Sequence, residues 1–202
     1  MRGDKMKATK TMTKDMDMTS GPLLKKLIAV SLPLALSGIL QLLFNAADLI
    51  VIGRFSETGT QSLAAVSSNV ALINLVINVV IGLSIGTNVV MSQAIGRKDE
   101  DRAQRTVHTS LLIAVISGVA VGIVGVFCAR YFLVWMKTDP EILDKATAYL
   151  SIYFIGTPAN VLYNFGASIL RAKGDTKRPL VYLSIAGAVN VVLNLIFVIV
   201  AR

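Results

Sequence analysis

The chain has 202 residues, of which 54% are hydrophobic and 16% charged, and its formal net charge is +8. Mean hydropathy is +0.67. A soluble domain carries about 25% charged and about 45–50% apolar residues, so these values exclude an ordinary water-soluble globule, and the apolar content excludes disorder over most of the length. A single cysteine (Cys128) and a single histidine (His108) exclude a disulfide framework and a Cys/His zinc cluster.

Residues 1–21 are polar and rich in methionine (Met1, Met6, Met12, Met16, Met18). They read as a disordered cytoplasmic tail, with Met1, Met16 and Met18 all open as the natural start of translation. They are not a secretory signal, because the apolar run that follows is too long and lacks a small-residue cleavage site. Thr19 or Ser20 can cap a helix with Pro22 in its first turn. Leu23, Leu24, Leu27 and Ile28 beside Lys25 and Lys26 then suit the membrane interface.

From there the sequence divides into five apolar segments, at about 27–52, 63–95, 107–129, 147–170 and 180–201. A bilayer core of about 30 Å needs roughly 20 apolar residues in a helix. Each segment meets that length and far exceeds the roughly ten residues of a barrel strand. The fold class is therefore an all-α integral membrane protein with five transmembrane helices. The second segment, about 50 Å long as a helix, is predicted to protrude at its polar start (Ser67, Ser68, Asn69) or at its last turn before Gly96.

Basic residues outside the segments fall unequally on the two sides. Fifteen lie in the tail, around Arg97–Arg105 and in Arg171–Arg178, against five on the opposite side. The positive-inside bias predicts a cytoplasmic N-terminus. The positive charge is thus topological, with the lipid bilayer as partner and no nucleic acid. Trp135 and Tyr131 suit an interfacial aromatic belt.

Of the twelve acidic residues, only Asp48 falls inside an apolar segment. A lone carboxylate in hydrocarbon costs about 2.5–3.5 kcal/mol at a helix centre, so Asp48 is predicted to face a cavity, where it can bind and release a proton; the competing reading places it at the outer headgroups. Asn45 and Gln41 share its helical face, one and two turns earlier respectively. Comparable stripes are Asn74 and Asn78 in the second segment, Thr157, Asn160, Asn164 and Ser168 in the fourth, and Ser184, Gly187, Asn190 and Asn194 in the fifth. Such stripes serve either helix association or a shared polar cavity, and their recurrence on four segments favours the cavity. Pro33 and Pro158 each free a carbonyl one turn upstream and are predicted helix kinks. Gly82–Gly86 and Gly118–Gly122 fit the small-xxx-small pattern of close helix contact. No phosphate-binding glycine loop or histidine pair is present, and His108 reads as an interfacial residue. Nothing points to an enzyme, a cofactor or a bound metal.

Three stretches resemble the multidrug and toxic compound extrusion (MATE) transporters: "GPLLKKLIAVSLPLALSGILQLLFNAADLIVIGRF", "SLAAVSSNVALINLVINVVIGLSIGTNVVMSQAIGRKDEDRA" and "GTPANVLYNFGASILRAKGDTKRP", with "NVVLN" where that family has a polar pair. The resemblance covers residues 22–201. It implies a twelve-helix fold of two six-helix lobes around a central cavity. It further implies export of small amphipathic or cationic substrates across the cell (plasma or inner) membrane, coupled to H⁺ or Na⁺. On that basis Asp48 matches the ion-coupling carboxylate, with Na⁺ at Asp48 as one form of coupling, and Gln41, Asn45, Asn160, Asn164, Asn190 and Asn194 are candidates to line the cavity. Asn194 stands where several members carry a second acid, so a two-carboxylate proton switch is not implied. Five helices make residues 22–202 an incomplete N-lobe. The chain reads as a truncated fragment lacking the C-terminal lobe, and is expected to transport nothing alone. Two alternatives stand beside the antiporter: a lipid-linked saccharide flippase of the same superfamily, and a non-transporting membrane scaffold or remnant.

Overall fold

A computed structural model describes residues 23–55 and 59–199. The expected tail and the Thr19/Ser20/Pro22 helix start lie outside the described residues, as does the end of the fifth predicted segment. Five helices follow in order: α1 (Leu23–Phe55), α2 (Gly59–Gly96), α3 (Glu100–Trp135), α4 (Pro140–Ala172) and α5 (Lys177–Ile199). The described residues contain no strand.

The helices outrun the apolar segments because polar capping, which hydropathy does not register, sets their ends. α3 begins seven residues before the predicted segment, where the Arg102 amide donates to the Asp99 carboxylate at 2.9 Å. α4 likewise starts at Pro140, behind Asp139, which accepts from the Glu141 amide at 3.0 Å. Pro at the first helical position loses no hydrogen bond, since that amide has no helical partner. Asp175 repeats the device ahead of α5, accepting from the Arg178 amide at 3.1 Å.

The turns between these helices share one geometry. α2, α3 and α4 each end with a residue at positive φ: Lys98 (55°), Lys137 (57°) and Gly174 (81°). In each turn the amide of that residue bonds back three positions and the next amide bonds back five, as Lys98 to Ile95 and Asp99 to Ala94 illustrate. This is the Schellman closure. Glycine tolerates the left-handed conformation; the two lysines adopt it at a steric cost of about 1–2 kcal/mol.

α1, α2, α3 and α5 are each long and apolar enough to cross a membrane. The five helices correspond one to one to the five predicted segments; α4 is the least apolar of them and is not among the four that are apolar enough to cross a membrane by composition. Tyr149, Tyr153, Thr157, Asn160 and Asn164 dilute its apolar character. α4 packs along both α2 and α3, which buries Thr157 and partly buries Tyr153 and Asn164, whereas Tyr149, Ile152, Ile155 and Asn160 stay exposed. Two amides on α2 fasten it at both ends: Asn69 Nδ2 donates to the Ala146 carbonyl at 3.1 Å, and Asn88 Nδ2 to the Ser168 carbonyl at 2.9 Å. The two amides are separated by about 28 Å of helix rise, so α4 runs alongside α2 for nearly a bilayer's thickness. Asn69 is completely buried; the polar start of the second segment is held inside the bundle at this residue.

Gly118 and Gly122 of α3 meet α4 at Pro158. A Cβ on Gly118 would lie 2.9 Å from the Pro158 Cα, and one on Gly122 would lie 3.0 Å from the Phe154 carbonyl oxygen. That carbonyl is the group whose helical partner Pro158 removes. The bare glycine thus lets α3 come against the freed carbonyl. Gly82 and Gly86 face open space, so of the two small-residue pairs only the one on α3 makes a close contact here. α1 and α4 both remain helical through Pro33 and Pro158.

The buried core runs through α2, α3 and α4, around Ala65, Ala129, Leu133, Leu150 and Phe154. α1 and α5 pack on each other; α1 also meets α2, and α5 meets α4 lightly. Outward lie Leu112, Ile116, Ile123, Phe127, Tyr131 and Trp135, all exposed, as lipid-facing side chains require.

Candidate functional site

The face of α1 that bears Asp48 is turned to α5. Three residues on α5, spaced at helical intervals, meet it: Gly187, Asn190 and Asn194. The Phe44 ring occupies the space where a Cβ on Gly187 would stand. Glycine at that point brings the two backbones close enough for short side chains to touch one turn further on. There Asn194 Nδ2 donates to Asp48 Oδ1 at 2.5 Å. With its amide nitrogen turned to the carboxylate, Asn190 donates to Oδ1 at 2.9 Å and to Oδ2 at 3.2 Å. The opposite orientation would set an oxygen against the carboxylate, so the acceptor-only chemistry of an ionised Asp decides the flip.

Two neutral amides therefore hold one half-buried carboxylate, and no cation does so among the described residues. Charge-assisted bonds of this kind are stronger than neutral ones, yet they leave the net charge uncompensated. A proton or a small cation would meet that need. Tyr149 and Tyr153 stand one turn apart on α4, Tyr149 exposed and Tyr153 partly buried. These tyrosines lie outside the amide stripes legible in the sequence; their signal is the helical spacing that runs from Tyr149 and Tyr153 on to Asn160 and Asn164.

The other expected residues are distributed differently. Asn164 Nδ2 donates to both the carbonyl and the Oδ1 of Asn160, each at 2.9 Å, which makes a pair within α4. Gln41 and Asn45 are exposed on α1 and make no hydrogen bond to another described residue. Asn78 donates to the Asn74 carbonyl within α2. Pro33 is buried, and its carbonyl accepts from Ser37 Oγ at 2.8 Å. Two recesses of about 370 and 360 Å³ lie at the basic ends of α2–α5, lined by residues other than these. No group of three or more His, Cys, Asp or Glu that could hold a metal exists among the described residues.

The carboxylate–amide cluster joins α1 to α5 within a bundle whose sequence matches the MatE family model over residues 33–196. The chain belongs to the MatE family. It is 32% identical over 186 residues to the probable multidrug resistance protein YpnP of Bacillus subtilis, covering 92% of this chain and 41% of that protein. It is 27% identical over 178 residues to the FAD transporter of Shewanella oneidensis, covering 88% and 38% respectively. Among solved structures, MATE in the bent conformation superposes with a TM-score of 0.83 at 27% identity, covering 93% of this chain and 41% of the other. A MOP superfamily transporter from Pyrococcus furiosus, described as having reversed binding-pocket polarity, gives the same TM-score, identity and coverage. The MatE chain thus spans about two fifths of the length of these relatives. It is a multi-pass membrane protein built on the MATE transporter fold.

Proposed function

We propose that this MatE chain forms the N-terminal part of a secondary-active antiporter exporting organic cations and other amphipathic drugs, with Asp48 as the residue that couples export to H⁺ or Na⁺. The observation that carries this reading is the Asp48 carboxylate held by Asn190 and Asn194 without a cationic partner among the described residues. Its supporting context is the likeness to proteins named for multidrug resistance. The N-terminus is assigned to the cytoplasm of the plasma or inner membrane on the distribution of basic residues. No organic cofactor enters the mechanism.

A proton or Na⁺ at Asp48 neutralises the charge and competes with the asparagine amides for the carboxylate oxygens. Loss of those bonds weakens the hold of α5 on α1, and Pro33, one stretch earlier in α1, offers a helix position that bends at lower cost. Ion binding shifts the balance of two arrangements only by its difference in affinity for them, so coupling resides in the donor set around Asp48. Gln41, Asn45, Asn160 and Asn164 are assigned to the substrate-facing surface.

The test is Asp48→Asn in the product of the complete gene, reconstituted in proteoliposomes. The amide keeps the size of the side chain and removes the charge. Drug-driven H⁺ or Na⁺ flux should vanish while the protein still inserts. Undiminished flux with unaltered ion dependence overturns the assignment.

A further inference from the structure

The recess of about 360 Å³ between α3, α4 and α5 is an apolar groove, lined among others by Leu111, Tyr163, Gly166, Leu170, Pro179 and Tyr182. It lies far from Asp48, at the end of the bundle where the basic loops gather. Its floor is fixed by the Tyr163 hydroxyl, which donates to the Pro179 carbonyl at 3.1 Å, and Gly166 leaves open space where a Cβ would stand. The neighbouring recess shares Val107 with it and is lined in part by Lys173 and Glu100. Lys173 and Lys177 are exposed. Arg171, at the end of α4, directly follows Leu170 of the groove lining, and its Nε is buried with no hydrogen-bond partner among the described residues.

Leu170 and Pro179, which line the trough, stand one and two residues from Arg171 and Lys177, and Lys173 lines the adjoining recess; an apolar trough flanked by basic residues is complementary to one class of molecule: an acyl chain bearing an anionic headgroup. We propose that this groove is a binding site for an anionic phospholipid of the leaflet on the basic side, its tail against Leu111, Gly166 and Tyr182 and its phosphate at Arg171, Lys173 and Lys177. Basic pockets between membrane helices commonly take such headgroups. Glu100 lines the adjoining recess together with Lys173 and sets a counterweight: its negative charge opposes the phosphate and tunes the site towards moderate retention. The site is separate from Asp48 and does not depend on the transport reading.

Native mass spectrometry of the purified chain, titrated with phosphatidylglycerol and phosphatidylcholine of equal tail length, tests the proposal. Phosphatidylglycerol should be retained preferentially. K173Q and K177Q should each weaken its retention about five-fold, and E100Q should strengthen it. Gly166→Phe, which fills the groove, should abolish retention of the anionic lipid. A phosphatidylglycerol carrying a photoreactive tail should label peptides between Tyr163 and Tyr182, which gives a readout independent of that variant's folding. Equal retention of both lipids, insensitivity to the two lysine changes, labelling spread evenly over the lipid-facing belt, or displacement by glycerol phosphate lacking tails would each overturn it.

Discussion

Asn194 on α5 donates a 2.5 Å hydrogen bond to Asp48 on α1, across 146 positions of sequence. The bond fixes the register of the α1–α5 pair, which otherwise meets the three-helix core along limited surface. It also places the acid at the seam of the two most loosely attached helices. A charge at a seam responds to helix movement, and helix movement responds to the charge.

Asn194→Leu is expected to destabilise the α1–α5 pair by about 1.5–3 kcal/mol, the range for a hydrogen bond to a charged group. Thermal unfolding in detergent reads the loss. In a double-mutant cycle with Asp48→Asn the two changes should be strongly non-additive. Additive effects would mean that the two side chains do not interact.

Substituting the glycines of α3 should separate contact from sequence pattern. Gly118→Ala drives a methyl group against the Pro158 backbone and is expected to cost about 1–3 kcal/mol. Gly82→Ala and Gly86→Ala, whose Cβ positions are open, should leave the unfolding temperature the same or slightly raised, as alanine favours helix. A similar loss at all four positions, Gly122 included, would remove the distinction.

The two α2–α4 amides should differ in value. Asn88→Leu loses a bond to the Ser168 carbonyl and should cost about 0.6–1.7 kcal/mol. Asn69→Leu loses a comparable bond to Ala146, but also removes a buried Oδ1 that has no partner among the described residues, whose desolvation costs about 1–3 kcal/mol. It should be neutral or stabilising in the same unfolding assay.

Lys98→Gly and Lys137→Gly should each stabilise by about 1 kcal/mol, because glycine relieves the left-handed strain. Gly174→Ala should destabilise by a similar amount. A rise in unfolding temperature for the lysine variants, with unchanged helix content, is the expected result; a fall would show that these side chains contribute more than their backbone strain costs.

The apolar runs of α1, α2, α3 and α5 could be read directly from composition, since burial in lipid demands long uninterrupted hydrophobicity and little else. Asp48 stood out for the same reason, as the one acid where charge is expensive. The helix ends were misplaced because Asp99, Asp139 and Asp175 act through single hydrogen bonds, which a hydropathy window averages away. α4 gave a weaker apolar signal than its neighbours, since the part of its surface packed on α2 and α3 needs fewer apolar side chains than a surface facing lipid.

Which asparagines act together lay beyond the linear pattern. Asn45, Asn164, Asn190 and Asn194 have the same chemistry and similar helical spacing, and a stripe defines a face without naming its partner. The approach of α1 to α5 at Phe44 and Gly187 brought Asn190 and Asn194 to Asp48, while Asn164 turned to Asn160. Lipid solvation fixes which residues can lie in a span, and so is written in composition; contact between distant helices depends on backbone separation, and only the packed structure sets that.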